Sequence, residues 1–379
     1  MIYCPFSKGT NDYFCNVSTD IKIEPIQNLW NPDLFPLVIA GPCSAESEEQ
    51  MIRTAHQLAK IPEVKVFRAG LWKPRTRPGT FEGVGEIGFR WLARVKRETG
   101  LKTTVEVAKP EQAIQALKNG VDILWLGART VVNPFMVQEI AEAVRGTGVS
   151  IMVKNPIIPD LKLWIGAIER IYASGIPKIM AIHRGFHYFE KSPFRNAPMW
   201  EIPIELKRLI PDLQIIVDPS HICGQRDLLQ SISQKALDLE MDGLMIETHE
   251  NPAVALTDAA QQISPEVLKL LLARLILRKK TGSPDFENKL ESLRTEIDKL
   301  DGELLQILAK RMEITDEIGE YKRDNNITIL QMKRWADIIY DRLSIGKNLG
   351  MDEVFLNKLL KLIHKEAIQR QTDILNKKK

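Results

Sequence analysis

Eight short apolar runs rich in β-branched residues, each followed by a stretch of helical period, predict an α/β chain that opens with a (β/α)8 TIM barrel. An amphipathic pattern beyond the last proline predicts a following all-α domain of three helices that dimerises. The runs lie at 37–40, 64–67, 103–107, 121–126, 150–153, 177–182, 213–217 and 243–246. Helical period fills the connections, as at 46–60, 83–98, 110–119 and 134–145. Eight strand-then-helix units in roughly 240 residues satisfy a closed barrel, assigned here to 31–277. A doubly wound open sheet is the competing arrangement of the same elements. Residues 1–30, with Asn11, Asp12 and Asn16, read as a loose N-terminal arm.

Proline marks the boundary between the two parts. All 21 prolines lie at or before Pro284, and none occurs in the 95 residues after it. The polar stretch 278–285 reads as a linker, with Gly282 and Pro284 as helix breakers. In the domain 286–379, Leu290, Leu293, Ile297, Leu300, Leu304, Ile307 and Leu308 keep a three-four spacing among charged residues. That pattern predicts a helix over about 286–323, and further helices over about 332–344 and 351–373, separated by Gly346 and Gly350. So long a first helix needs partners, which points to an intertwined homodimer.

Composition excludes several classes. The 379 residues are 44% hydrophobic, enough for a sizeable core, and the net charge is only +3. The tail from Thr281 balances 18 basic against 18 acidic residues. Neither part has the charge of a nucleic-acid binder, and no apolar run approaches the ~18 residues that span a bilayer. Four cysteines, at 4, 15, 43 and 223, form no CxxC pair. A cytoplasmic protein without a signal peptide is expected.

Polar residues gather at the predicted strand ends, where barrel enzymes keep their catalytic groups. In order these are Cys43, Arg68, Lys73 with Arg75, Glu106, Arg129, Lys154, Arg184, Asp218 with His221, and Glu247 with His249. Cations crowded at one mouth repel unless anions occupy it, so a phosphorylated substrate is predicted. Cys43, His221, Glu247 and Asp258 offer a mixed soft and hard donor set suited to Mn, Fe, Co or Zn, although a buried cysteine is more often simply packed. His56, His183, His187 and His364 read as ordinary surface or core histidines.

Gly41-Pro42-Cys43-Ser44, Lys73-Pro74-Arg75-Thr76, Gly127-Ala128-Arg129, Lys154-Asn155-Pro156, Asp218-Pro219-Ser220-His221 and Glu247-Thr248-His249 followed by Ala255-Leu256-Thr257-Asp258 are highly specific together. In this order over about 20–275 they resemble the type I beta branch of 3-deoxy-D-arabino-heptulosonate-7-phosphate (DAHP) synthase. The resemblance implies condensation of phosphoenolpyruvate with erythrose 4-phosphate in the shikimate pathway. It implies one divalent metal per barrel, held by Cys43, His221, Glu247 and Asp258. Arg68, Lys73, Arg129, Lys154 and Arg184 would hold phosphoenolpyruvate, Arg75 and Thr76 the aldose phosphate, and Asp218 would lie near its hydroxyls. Glu106, beside Lys154, is the candidate for activating the water that adds to C2. The related 3-deoxy-octulosonate 8-phosphate synthases carry Lys-Ala-Asn-Arg in place of Lys73-Pro74-Arg75-Thr76, so the motif favours the four-carbon aldose.

In the tail, Arg294, Arg311 and Lys322 share one predicted helix, and 17 residues set the two arginines about 25 Å apart. A solvated charged face is the plain reading; an antiparallel partner returning its Arg294 to Arg311 and Lys322 would instead make a cationic pocket. Leu293-Arg294, Ile297-Asp298, Leu304-Leu305, Leu308, Arg311, Ile318-Gly319, Lys322, Arg334, Leu362-Ile363 and Gln371 resemble the all-helical chorismate mutase domain over about 286–375. By that resemblance Arg294 of a partner and Arg311 clamp the carboxylates of chorismate, Lys322 and Gln371 reach the ether oxygen, and Arg334 completes the site. Prephenate forms without a cofactor, by orientation and fixed charge. Gln331, Trp335 and Ala367 depart from the family's aspartate, glutamate and serine. Feedback on the synthase by prephenate or chorismate is expected by analogy with similar fusions. A tail that is only a sensor or dimerisation module is the alternative.

Overall fold

The computed structural model describes residues 21–24, 26, 36–73, 79–189, 191–279 and 281–376. Almost all of the expected N-terminal arm therefore lies outside the described residues. The chain divides into two compact units, 1–278 and 279–379.

The first unit runs β1 (Leu37–Gly41), α1 (Glu48–Leu58), β2 (Val64–Ala69), α2 (Ile87–Thr99), β3 (Lys102–Val107), α3 (Pro110–Lys118) and β4 (Ile123–Leu126). It continues with α4 (Ala128–Val131), α5 (Pro134–Ala143), β5 (Ser150–Lys154), α6 (Leu161–Ala173), β6 (Ile179–His183), α7 (Glu201–Leu209) and β7 (Gln214–Val217). It ends with α8 (Pro219–Cys223), α9 (Leu229–Asp238), β8 (Gly243–Glu247) and α10 (Pro265–Ala273). Each strand falls on one of the eight apolar runs. The strands pair in parallel and in sequence order into a closed barrel, not an open sheet, with β1 meeting β8 from Leu37 opposite Gly243 to Gly41 opposite Glu247.

Strand alternation sorts the side chains into two cores. Ile39, Val66, Trp125, Met152, Met180, Ile216 and Met245 fill the lumen, while residues of opposite parity pack with the helices in a larger outer core. Two residues beyond Val66, Met152, Ile216 and Met245 stand Arg68, Lys154, Asp218 and Glu247, so strand period alone brings these groups to the C-terminal end of the lumen. His183 has the outward parity. It is fully buried against Trp164, Phe186 and Trp200, with ring centroids 6.4, 5.7 and 5.2 Å away.

The second unit consists of α11 (Pro284–Asp324), α12 (Met332–Asn348) and α13 (Glu353–Asn376), with α13 packed on both others. The helix α11 begins earlier than its apolar pattern suggests. Pro284, expected to break a helix, occupies its first turn, where a missing N–H is harmless, and the Ser283 side chain caps Phe286 N. Gly346 lies inside α12 rather than between helices; the chain turns instead at Gly350, whose φ is +76°. Leu293, Ile297, Leu300, Leu304, Leu305 and Ile307 on α11 are 43–67% exposed within the single chain. Among the described residues no helix is long and apolar enough to cross a membrane.

Burial pushes the His183 imidazole down to about 3, whereas the unfolded chain titrates it near 6.5. The unfolded state alone therefore takes up this proton between those values, and the native state loses stability as pH falls from about 6.5 toward about 3. His183→Gln is expected to reduce the difference in urea midpoint between pH 7 and pH 4, and an unchanged difference would disprove the assignment.

Candidate active site and metal centre

Cys43 follows β1 and is buried, its amide held 3.1 Å from Gln262 Oε1. Its Sγ lies 3.3 Å from Asp258 Oδ2 and accepts a 3.1 Å contact from Lys73 Nζ. Glu247, at the end of β8, is fully buried and accepts from Arg68 Nη2 at 3.0 Å and Gln261 Nε2 at 2.6 Å. Ligand atoms of Cys43, Glu247 and Asp258 lie within 4.8 Å of one another. His221 stands at the edge of this set. Its Nδ1 is 2.9 Å from Asp218 Oδ2 and 3.9 Å from Glu247 Oε1.

Electrostatics around this cluster are strongly coupled. Burial, reinforced by Glu247 and Asp258, pushes the Cys43 thiol up to about 12 despite Lys73. Burial would raise Asp258, yet Arg195 and His221 hold it down to about 2. Glu247 is likewise held below the usual carboxylate range by His221 and Arg68 against its burial. Lys73 is raised, because Cys43, Glu247 and Glu106 outweigh a desolvation that acts the other way. Burial lowers His221 in spite of Asp218. A thiol, two carboxylates and an imidazole, gathered from three strand ends and one loop, fit a divalent transition metal.

A cavity of about 420 Å³ opens beside the cluster, lined by Lys73, Glu106, Arg129, Lys154 and Arg184, with His221 and Asp258 on its wall. Lys154 Nζ donates to Asp218 Oδ2 at 2.9 Å. Arg184 is bonded to an amide, Asn196 Oδ1 at 2.8 Å, and burial together with Arg195 and Arg129 lowers it to about 10 despite Asp218. The Glu106 carboxylate reaches the cavity over Gly127, where a Cβ would sit 2.0 Å from Glu106 Oε1. That contact explains the glycine in Gly127-Ala128-Arg129.

Two groups expected on substrate, Arg68 and Asp218, are not among the residues that line this cavity. Arg68 is 1% exposed and does not line the cavity; its Nη2 serves Glu247, while its Nε and Nη1 have no hydrogen-bond partner. Asp218 is fully buried and serves Lys154 and His221. Arg75 and Thr76 lie outside the described residues. The cavity wall also includes His187, Arg195 and Asn196, which the sequence reading passed over. Arg195 and Asn196 stand 12 and 13 residues beyond the end of β6, too far along a loop for a strand-end rule to reach.

In the helical unit, Gln371 is buried with its Oε1 unpartnered, and Lys322 Nζ donates to Ile329 O at 2.5 Å. Burial lowers both Lys322 and Arg311, the latter with help from Arg342. Trp335 stacks on His364 at 3.6 Å and 10°. Arg334 is exposed, and Arg294 is 60% exposed beside Glu291. A single chain does not bring Arg294 to Arg311, because both belong to the continuous helix α11.

The model of the DAHP synthetase I family matches residues 24–280. The chain belongs to that family. The chorismate mutase type II model matches residues 293–372, so two enzymatic domains lie in one chain. The family domain is 32% identical over 238 residues to phospho-2-dehydro-3-deoxyheptonate aldolase of Thermotoga maritima, covering 63% of this chain and 68% of that protein. A solved structure of the Thermotoga maritima enzyme superposes with a TM-score of 0.57 at 32% identity, over 62% of this chain and 67% of that one. The 2-dehydro-3-deoxyphosphooctonate aldolase of Geobacter metallireducens is 30% identical over 266 residues, covering 63% of this chain and 91% of that protein.

Gly127→Ala is expected to displace the Glu106 carboxylate and lower turnover of the family reaction by about 100-fold or more, the range set by loss of a positioned acid or base. Steady-state rates of the folded variant check this, and retention of wild-type turnover would show that the contact with Gly127 does not set the working position of Glu106.

Proposed function

We propose that the chain is a bifunctional enzyme of aromatic biosynthesis whose barrel joins phosphoenolpyruvate to erythrose 4-phosphate and whose helical domain converts chorismate to prephenate. The observation that carries the barrel reading is the cationic cavity directly beside a cysteine and carboxylate cluster. Cys43, His221, Glu247 and Asp258 are the proposed metal ligands, with His221 using the nitrogen that Asp218 leaves available. A divalent ion there would supply Lewis acidity to the aldehyde oxygen.

Lys154, Arg184, Arg129 and Lys73 supply fixed positive charge for the phosphate and carboxylate of phosphoenolpyruvate, so its orientation is set before reaction. The enol C3 forms a bond to the aldehyde carbon as the carbonyl π pair passes to the aldehyde oxygen, which takes up a proton, and C2 then takes up water. Glu106 accepts one proton of that water, and the resulting C2 hemiketal collapses to the ketone as phosphate departs with the C2–O bond electrons, so that the two water protons end on the new hydroxyl and on phosphate. Arg75 and Thr76 in the Lys73-Pro74-Arg75-Thr76 motif are proposed to select the four-carbon aldose phosphate, and Arg68 to act chiefly by orienting Glu247.

For the helical domain, Arg311, Lys322, Arg334 and Gln371 of one chain, with Arg294 of a second copy, are the proposed chorismate site of a homodimer. The exposed apolar row on α11 and the unpartnered Gln371 Oε1 support that reading. The stacked Trp335–His364 pair, standing where the resembled family carries a glutamate, favours a second reading in which the domain binds chorismate or prephenate as a sensor. Either reading places feedback control of the barrel with this domain.

The deciding experiment supplies purified protein with phosphoenolpyruvate, Mn and either erythrose 4-phosphate or arabinose 5-phosphate. Phosphate release is expected with the first aldose, at least about 100-fold slower release with the second, and none after chelation. Comparable rates with both sugars would overturn the substrate assignment. Arg311→Ala is expected to cut chorismate loss by about 100- to 1,000-fold with the dimer intact and to abolish inhibition of the synthase by prephenate. Unchanged chorismate loss would remove Arg311 from the site.

A further inference from the structure

Asp258 differs from the other three proposed ligands in how it is placed. Cys43 and Glu247 stand at strand ends and His221 on α8, whereas Asp258 belongs to the loop between β8 and α10, at a backbone φ of +46° that a non-glycine residue seldom adopts. The barrel backbone therefore does not by itself aim this carboxylate, and its direction must come from side-chain contacts. The structure supplies them through one residue that neither the metal set nor the sequence pattern includes.

We infer that Arg195 is a positioning residue for the metal ligands, holding Asp258 directly and Glu247 through Gln261. Its Nη1 donates to Asp258 Oδ1 at 3.1 Å and to Gln261 Oε1 at 2.8 Å. Gln261 Nε2 in turn donates to Glu247 Oε2 at 2.6 Å. One guanidinium thus reaches two carboxylates of the cluster. With Oδ1 of Asp258 taken by Arg195, Oδ2 is the oxygen turned toward Cys43 Sγ, 3.3 Å away. Outer contacts of this kind fix ligand orientation and govern metal affinity.

Arg195 is itself braced against the His221 segment. Its amide donates to Cys223 O at 3.3 Å, and the next residue, Asn196, donates from its backbone to Ile222 O and from Nδ2 to His221 O at 2.6 Å. Asn196 Oδ1 accepts from Arg184. The Arg195-Asn196 pair therefore joins α8, the Asp258 loop and a cation of the cavity wall. Loss of the Arg195 guanidinium should loosen Asp258 and Glu247 together, which makes the effect one of metal affinity rather than of substrate contact.

The inference rests on the metal reading proposed above, and the test separates the two. Co is titrated into chelator-treated full-length protein, with binding followed by thiolate-to-cobalt absorption and by equilibrium dialysis. If the wild-type protein takes up no Co, the metal reading fails before any variant is compared. Where the wild type binds, Arg195→Ala and Gln261→Met are each expected to weaken Co by about 10- to 100-fold, with Arg195→Lys recovering part of the loss. For Gln261→Met, which lies off the cavity wall, the KM for phosphoenolpyruvate at saturating metal should stay unchanged. Unfolding midpoints of the chelated proteins separate lost affinity from lost fold, and Gln261→Met carries the test if Arg195→Ala does not fold. Wild-type Co affinity in Arg195→Ala, or intact affinity with a raised KM for either phosphorylated substrate, overturns the inference.

Discussion

Negative charge buried at the mouth of the barrel is the constraint on which the rest of the site depends. A carboxylate taken out of water costs several kcal/mol unless a cation or hydrogen bonds compensate it. Three acids have their own cations: Glu247 has Arg68 at 3.0 Å, Asp218 has Lys154 at 2.9 Å and Asp258 has Arg195 at 3.1 Å. Lys73 stands 3.1 Å from Cys43, whose thiol burial pushes up to about 12. The pairs explain why residues so expensive to bury remain at the centre of the molecule. They also explain why removal of one partner should disturb its neighbours.

That pairing divides the cations into two kinds. Arg68 is buried, 5.1 Å from the Trp125 ring and bonded through Nη2 to Glu247, with Nε and Nη1 unpartnered. Arg184 meets an amide instead of a carboxylate, and its lowered proton affinity reflects burial near other cations. An anion bound in the cavity would relieve that repulsion, so the phosphate-binding capacity and the internal ion pairs arise from one charge arrangement.

The helical unit obeys different physics. Its charges are balanced and largely solvated, and its strongest unmet demand is apolar: the row from Leu293 to Ile307 remains exposed in one chain. A 41-residue helix cannot be stabilised along its whole length by α13 of the same chain alone. The same length keeps Arg294 from Arg311. The proposed mutase site and the apolar row therefore call for the same remedy, a second helix alongside the first.

Periodicity made most of the fold legible. Eight alternating units located the strands, and the parity of Val66, Met152, Ile216 and Met245 already implies that Arg68, Lys154, Asp218 and Glu247 face the lumen, since a strand can do nothing else with alternate residues. The proline boundary located the helical unit for the same local reason. Periodicity could not say that Arg68 would pair with Glu247, or Asp218 with Lys154 and His221, because pairing depends on which neighbours the closed barrel brings close. Nor could it find Arg195, His187 and Asn196, which lie on a long connection without period. Sequence by itself determined the elements and the chemical types at the strand ends, through local backbone geometry. Only the tertiary structure decided which charges neutralise one another and which face the cavity, because Coulomb and desolvation energies depend on distances that exist only once the barrel has closed.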